Sequence, residues 1–259
     1  MSTSIHPAAR RGFGTSTSTY ERGRPSYPPE AVAFLIDRLG LDSTRSLVEL
    51  GPGTGKLTSL LVSTGARLIG VEPVAAMRRA LTARLPEVEA LDARAEELPL
   101  ENGSVDAAVA AQSFHWFEGD HALTELARVM RSAAMLAVVF NVRDDSVPWV
   151  RELVELQEPY RGDAPSHRSM RWREAFDRTM AFTTRGVRSF RHEHESTSVG
   201  VADRVLSISF IAALDPDRRS QIAEDVHRIL AADPATRGRD PILTPYRTDC
   251  YLWERVERV

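Results

Sequence analysis

Short apolar strands alternate with amphipathic helices between residues 46 and 140, and this alternation constrains the fold more than any other feature of the chain. Apolar runs bounded by turn signals lie at 46–50, 67–71, 88–91, 105–111 and 135–140. Parallel strands joined by crossover helices are covered on both faces, so they are apolar along their whole length. The pattern therefore predicts a doubly wound α/β fold around a mostly parallel sheet.

After residue 145 the alternation gives way to longer helical patterns. Helices are predicted at 147–160, 201–214 and 218–232, and strands at 182–197 and 246–256. These two strands would bring the sheet to seven strands. The order of the elements resembles that of a known family, identified below, which implies an antiparallel hairpin with the last strand antiparallel and inserted helices within 147–245 that form a cap. We expect a single domain over 1–259, in which the Ser-, Thr- and Pro-containing residues 1–28 form a flexible N-terminal arm and lid.

Composition and charge exclude several classes of protein. The formal net charge is −3 and no run of five basic residues occurs, which argues against a nucleic-acid partner. The longest apolar run, residues 133–140, is far shorter than the roughly 20 residues needed to span a bilayer, so no membrane partner is expected. Cys250 is the only cysteine, and His192 and His194 lack a third ligand, so no metal site is predicted. A cytoplasmic location is expected, and the oligomeric state stays open.

A glycine-rich turn follows the first predicted strand. The octet Val48-Glu-Leu-Gly-Pro-Gly-Thr-Gly55 places three glycines where the backbone could approach a ligand closely. A dinucleotide fingerprint would need glycine at Lys56, and a phosphate-binding loop would need Ser or Thr at Leu57. Two interpretations remain. The segment is either a ligand-binding loop of the form Glu-x-Gly-x-Gly-x-Gly that begins at Glu49, or a glycine-rich turn with a purely structural role.

Further candidate residues follow the second, third and fourth strands. Glu72 ends the second strand, where an acid can accept hydrogen bonds from ribose hydroxyls, and Pro73 and Met77 come after it. The segment Ala95-Glu-Glu-Leu-Pro-Leu100 lies between strands three and four, and Gln112-Ser-Phe-His-Trp-Phe117 follows strand four. Because ligands of doubly wound sheets lie beyond the carboxyl ends of the strands, all three groups are expected to meet there.

Together these segments resemble the class I S-adenosylmethionine-dependent methyltransferases. Within that class, His115-Trp116, the N-terminal Tyr20…Arg24-Pro-Ser-Tyr27 and the final strand are similar to trans-aconitate and quinone-biosynthesis-type small-molecule methyltransferases. The resemblance implies S-adenosylmethionine as cofactor, with His115 and Tyr20 as catalytic candidates. The implied cofactor-binding residues are Glu49, Gly51, Pro52, Gly53, Thr54, Gly55, Glu72, Pro73, Met77, Ala95, Glu96 and Gln112.

The resemblance implies transfer of a methyl group to O, N or C of a small-molecule acceptor, such as a carboxylate or a natural-product intermediate. His115 would act as a general base or only pack, and Arg24, Arg143 and Arg247 are candidates for holding a carboxylate. Alternatives are a relative that binds the cofactor structurally or catalyses a non-methylating cyclisation, and a dinucleotide-dependent oxidoreductase. Ser132-Ala-Ala134 replaces the family's usual Pro-Gly-Gly before strand five, so a turn of different conformation is expected there.

Overall fold

The computed structural model describes residues 24–257, whose strands form one seven-stranded sheet. The strands are β1 (Ser46–Leu50), β2 (Arg67–Val71), β3 (Glu89–Leu91), β4 (Val105–Ala111), β5 (Met130–Arg143), β6 (Phe182–Ser196) and β7 (Ile242–Arg255). Their order across the sheet is β3-β2-β1-β4-β5-β7-β6, and β1 to β5 pair in parallel.

The direction of β7 follows from its hydrogen bonds. Asn141 of β5 bonds the side chain of Thr248, and Asp144 N donates to the carbonyl of Pro245. Because the residue number falls along β7 as it rises along β5, these two strands are antiparallel. The side-chain hydrogen bonds of Arg185 with Glu254 and of Ser189 with Asp249 show the same inverse order between β6 and β7. The predicted doubly wound sheet with an antiparallel final strand is confirmed.

Helices connect the strands and fill the region before β7. They are α1 (Pro29–Leu39), α2 (Thr58–Leu61), α3 (Ala75–Arg84), α4 (Gly119–Val129), α5 (Pro148–Glu155), α6 (Glu174–Arg178), α7 (Ser198–Leu206), α8 (Ser209–Ala212) and α9 (Pro216–Ala232). Proline opens α1, α5 and α9, as expected of a residue whose missing N–H is not needed at a first helical position. None of the helices within 24–257 is both long and apolar enough to cross a bilayer.

The predicted start of strand five is wrong in one respect. Met130 already pairs with Val105, while the next paired residues are Met135 and Ala107, so the intervening residues bulge out of β5. Ala133 has a φ of 59°, an uncommon value for a residue with a side chain. The segment 132–134 thus lies in an irregularity inside a strand rather than in a turn before it.

The chain is divided between two compact units. The sheet unit comprises described residues 27–141, 165–190 and 248–257, and the helical unit comprises 24–26, 142–164 and 191–247. The predicted cap range 147–245 contains the five helices α5 to α9, of which α6 belongs to the sheet unit. That residues 1–259 form a single domain stays a prediction, and residues 1–23 of the predicted arm and lid lie outside the described residues.

Each unit has its own buried apolar cluster. In the sheet unit, side chains such as Leu35 of α1 and Leu61 of α2 are fully buried together with Cys250 of β7. Burial raises the pKa of the Cys250 thiol to about 12. In the helical unit, Trp149 of α5 and Val205 of α7 belong to the second cluster. At roughly 1.5–3 kcal/mol for each fully buried large apolar side chain, each cluster stabilises its own unit.

Candidate active site

Most of the residues predicted to bind a ligand lie where the parallel strands of the sheet unit end. The glycine loop follows β1, Glu72 follows β2 and Gln112 follows β4. Since β2, β1 and β4 are neighbours in the sheet, these three segments share its carboxyl edge. This is the edge at which doubly wound sheets bind their ligands.

The glycine loop needs its glycines for backbone conformation and for packing. Gly51, Gly53 and Gly55 have φ values of 66°, 61° and 82°, in the left-handed region. A Cβ on Gly51 would lie 2.8 Å from Cβ of Ser113, and one on Gly55 would lie 2.6 Å from Cδ1 of Leu81. At Gly51 and Gly55 the space is therefore occupied by protein atoms rather than kept for a ligand, which the sequence did not reveal.

Glu72 ties the glycine loop to the end of β2. Its side chain is buried, with Oε2 accepting a hydrogen bond from Gly53 N at 3.0 Å and Oε1 accepting one from Val74 N at 2.8 Å. Burial raises the pKa of Glu72, while these two hydrogen bonds and the nearby Arg78 act to lower it. A buried acid is thus held with both oxygens oriented by backbone N–H groups.

Glu49 is a second buried acid at this edge. Thr58 Oγ1 of α2 donates a 2.7 Å hydrogen bond to Glu49 Oε2, which fixes the end of β1 to the helix that follows. Burial raises the pKa of Glu49 to about 7; the Thr58 hydrogen bond opposes the shift and the charge of Glu72 adds to it. Glu49 therefore changes protonation state near neutral pH.

The residues after β4 form hydrogen bonds with both β5 and β1. Gln112 has a φ of 58°, its N–H donates to Val139 O at 2.8 Å and its Nε2 donates to Asn141 O at 3.0 Å. Ser113 Oγ donates to Leu50 O at 2.5 Å. Left-handed backbone at a non-glycine residue is sparsely populated and clusters at functional sites.

His115 lies in the short helix Phe114–Trp116 and is half-buried among rings. Its ring centroid is 5.2 Å from that of Trp116, 5.6 Å from Phe140 and 6.3 Å from His167. His167 was not singled out from the sequence, because the segment that carries it had no predicted element. The surroundings of His115 are therefore aromatic, with a second imidazole nearby.

The remaining cofactor candidates lie in the same unit. Ala95 is buried, and Glu96 Oε1 accepts a 2.9 Å hydrogen bond from Glu118 N, just before α4. Pro52, Thr54 and Met77 are buried, and Pro73 is half-buried between β2 and α3. Tyr20 lies outside the described residues.

The three arginines considered for a carboxylate belong to the helical unit, and they differ in setting. Arg24 Nη2 donates to Ser207 O at 3.4 Å, and Arg247 is exposed. Arg143, the last residue of β5, donates from Nη2 to Gln157 Oε1 at 2.8 Å. Within 24–257 no group of three or more His, Cys, Asp or Glu side chains could hold a metal ion.

Comparison with known proteins gives the family. The model of a family described as "Methyltransferase domain" matches residues 48–138, which contain the glycine loop and the ends of β2 and β4. An uncharacterized methyltransferase of Mycobacterium tuberculosis is 37% identical over 238 residues, covering 92% of this chain and 93% of that protein. An uncharacterized methyltransferase-like protein of Schizosaccharomyces pombe is 31% identical over 244 residues, covering 94% and 95%. The chain belongs to this methyltransferase family, of the class I S-adenosylmethionine-dependent type.

Solved structures show the same fold. A candidate type II methyltransferase from Anaeromyxobacter dehalogenans has a TM-score of 0.67 at 24% identity, covering 91% of this chain and 99% of that one. Geranyl diphosphate C-methyltransferase from Streptomyces coelicolor, solved with Mg²⁺, geranyl-S-thiolodiphosphate and S-adenosyl-L-homocysteine, has a TM-score of 0.52 at 15% identity, covering 88% and 76%. The family assignment agrees with the methyltransferase interpretation of the glycine loop rather than with its dinucleotide and phosphate-loop alternatives.

Proposed function

We propose that this methyltransferase takes its methyl group from S-adenosylmethionine bound at the carboxyl ends of β1, β2 and β4, and transfers it to a small-molecule acceptor. The observation that carries the proposal is the buried carboxylate of Glu72, held by Gly53 N and Val74 N beside a loop of left-handed glycines. The family match and a structure of the same fold that was solved with S-adenosyl-L-homocysteine support this choice of cofactor.

The hydrogen-bonding capacity of Glu72 supports its role toward the ribose. An ionised carboxylate offers about four acceptor positions, of which Gly53 N and Val74 N use two. The other positions can accept from two neighbouring hydroxyls, which is what a ribose presents. The same N–H groups keep Glu72 oriented before any ligand arrives, so less ordering is required on binding.

The other proposed cofactor contacts belong to the sheet unit, as Glu72 does. The glycine loop would pass beside the cofactor, and Glu49 would hold the start of that loop through its hydrogen bond with Thr58. Met77 would offer a flexible apolar surface to the adenine. The full set that we propose to hold the cofactor is Glu49, Gly51, Pro52, Gly53, Thr54, Gly55, Glu72, Pro73, Met77, Ala95, Glu96 and Gln112. When bound, the cofactor supplies a methyl group already activated by a positive sulfur, so the protein contributes mainly positioning and exclusion of water.

His115 and Tyr20 are our proposed catalytic residues. His115 follows β4 by four residues, and its ring centroid lies within 5.6 Å of those of Trp116 and Phe140. A base there would remove a proton from an acceptor that must lose one during transfer. The assignment of Tyr20 rests only on the resemblance of its segment to small-molecule methyltransferases.

We place the chain in the subgroup similar to trans-aconitate and quinone-biosynthesis-type methyltransferases, in the cytoplasm. His115-Trp116 after β4 and the aromatic residues of β7 support the subgroup. A small-molecule acceptor, rather than a nucleic acid, agrees with a net charge of −3 and scattered arginines.

Calorimetry with S-adenosylhomocysteine tests the proposed site. Glu72→Gln should weaken binding at least tenfold, because hydrogen bonds to a charged acceptor are worth about 1.5–3 kcal/mol each. Glu89→Gln is the matched control, since Glu89 is an exposed acid on β3, 2.6 Å from Arg67, and its loss should leave affinity unchanged. Equal affinity of wild type and Glu72→Gln would move the ribose elsewhere, and no binding by the wild type would reject the proposal.

A second measurement separates the enzyme from its non-methylating alternatives. Protein incubated with methyl-labelled S-adenosylmethionine and the low-molecular-weight filtrate of a cell extract should pass label to a small molecule. Tight binding of S-adenosylhomocysteine without any transfer of label would favour structural binding or cyclisation instead.

A further inference from the structure

Arg78 connects the ends of two neighbouring strands in the sheet unit. It lies near the start of α3, in the chain segment that follows Glu72. Its Nη1 donates to the main-chain carbonyl of Glu72 at 2.7 Å, and its Nη2 donates to Oδ2 of Asp92, directly after β3, also at 2.7 Å. Because a guanidinium holds its N–H donors in a rigid plane, the two bonds together fix the end of β2 relative to the end of β3.

The polar atoms of Glu72 all take part in hydrogen bonds within the sheet unit. Its N donates to Leu91 O at 3.1 Å, and its two carboxylate oxygens accept from Gly53 N and Val74 N. These three partners are backbone groups, which almost every residue type supplies. The bond to the Glu72 carbonyl comes instead from the side chain of Arg78, so this contact depends on the residue at that position.

The exposure of its two partners indicates which bond of Arg78 has the greater effect. The side chain of Arg78 is 20% exposed, whereas that of Asp92 is 70% exposed. An ion pair with an exposed carboxylate is screened by water and contributes little to stability. Glu72 is buried, so its interaction with Arg78 is screened less. The main consequence of Arg78 is therefore expected at Glu72.

Arg78 also brings a positive charge close to a carboxyl group whose charged form burial disfavours. Burial raises the pKa of Glu72, while the two N–H groups that bond its carboxylate and the charge of Arg78 lower it. The nearby acids are Glu49 on β1, whose own pKa the charge of Glu72 raises, and Asp92, the second partner of Arg78. Hydroxyl groups donate stronger hydrogen bonds to an ionised carboxylate than to a neutral one, so binding of a ribose favours charged Glu72.

We propose that Arg78 is a positioning residue of the cofactor site, which fixes Glu72 at the end of β2 so that its carboxylate meets the ribose. Arg78 acts through its hydrogen bond to the Glu72 carbonyl and through its charge, and the role requires no contact with the ligand. It is not among the residues that the resemblance to the family implies. The inference rests on the proposed function, because it needs the ribose at Glu72.

Calorimetric titration with S-adenosylhomocysteine from pH 5 to pH 8.5 measures the two contributions of Arg78 separately. Arg78→Gln should weaken binding about threefold at pH 8.5, because Glu72 is held less firmly. Its affinity should also begin to decline at a pH about half a unit or more above that of wild type, because a positive charge near Glu72 is lost. Arg78→Lys keeps the charge without the paired donors, so its affinity should fall about threefold at every pH with no shift of the profile.

Two further variants serve as controls. Arg79→Gln removes an exposed arginine next to Arg78 on α3 and should change neither the affinity nor the pH profile. Glu49, with a pKa of about 7, titrates in the same range in every variant, so the profile of Glu72→Gln gives the baseline. Arg78→Gln added to Glu72→Gln should cause no shift of that baseline, because a neutral amide has no charge to stabilise.

Three results would overturn the inference. If Arg78 only supports the fold, Arg78→Gln should have a lower Tm while the pH profile of the folded protein keeps its wild-type position. A shift that persists in the Glu72→Gln background would show that the charge of Arg78 acts on another group. Equal affinities of Arg78→Lys and wild type at pH 8.5 would remove the positioning role, and this comparison holds even if Arg78→Gln fails to fold.

Failure of the proposed function would give a different result. No binding of S-adenosylhomocysteine by wild type, or unchanged affinity in Glu72→Gln, rejects the proposed site and the role of Arg78 with it. Binding that depends on Glu72 but is the same in wild type, Arg78→Gln and Arg78→Lys rejects the role of Arg78 alone.

Discussion

The pKa values of carboxyl groups at the two ends of the parallel strands are shifted in opposite directions. At the amino end of β4, Asp106 accepts hydrogen bonds from Ser46 N and Oγ and pairs with Arg131. Burial alone would raise the pKa of Asp106, but the Ser46 hydrogen bonds and Arg131 hold it at about 2. At the carboxyl end, burial instead raises the pKa of Glu49 to about 7 and that of Glu72 above its ordinary value.

Asp106 is therefore an acid whose charged form stabilises the fold, whereas the charged forms of Glu49 and Glu72 are disfavoured by burial. Asp106 has strong partners that favour its charged form, so its ionisation and folding reinforce each other. Glu49 and Glu72 lie in surroundings that disfavour charge, and acids in such surroundings are concentrated at binding and catalytic sites. These surroundings support the ligand site that we propose at the carboxyl end of the sheet.

The largest effect is expected from His115→Ala, at the carboxyl end. If His115 acts as a general base, the labelled-methyl transfer rate per folded molecule should fall roughly 10²–10⁴-fold, with affinity for S-adenosylhomocysteine nearly unchanged. His121→Ala is the matched control, because that imidazole is exposed on α4. A full rate in folded His115→Ala, with only a lower Tm, would reduce His115 to a packing residue.

Glu49→Gln tests the raised pKa. A carboxyl group whose pKa rises from 4.5 to about 7 on folding contributes stability below pH 4.5, and that stability is lost as pH rises through about 7. The loss for wild type should approach about 3 kcal/mol between these pH values, at 1.36 kcal/mol for each pKa unit, and should be absent in Glu49→Gln. Urea unfolding at pH 5 and pH 8 measures both, and parallel pH profiles of the two proteins would contradict the shift.

Asp106→Asn tests the other end of the sheet and should show the opposite sign. A pKa lowered from 3.8 to about 2 contributes stability above pH 3.8 that is lost as pH falls through about 2. The variant should be less stable than wild type by about 2 kcal/mol at pH 7, with no change in cofactor affinity. Urea unfolding at pH 7 measures this difference, and unchanged stability would remove the contrast between the two ends.

The sheet and its glycine loop were predictable because local patterns determine them. The bounds of β1, β2 and β4 agree with the predicted 46–50, 67–71 and 105–111. The glycine spacing and the acid at the end of a strand are local features of the sequence, so they can be identified without knowledge of the rest of the fold. Even so, the sequence did not show that Ser113 and Leu81 occupy the space beside two of the glycines.

His167 could not be found in the same way. His167 lies near His115 because the chain rejoins the sheet unit at residue 165, after residues 142–164 of the helical unit. No local sequence pattern predicts this return.

The burial of Cys250 also makes the native protein nearly inert toward thiol reagents. Only the thiolate reacts, and with a pKa of about 12 and no exposed surface the side chain supplies almost none of it at neutral pH. Labelling at Cys250 must therefore await an opening of β7, and its rate with a small disulfide reagent measures how often the sheet exposes this strand. Because no other cysteine is present, the colour released counts opening events at one known position.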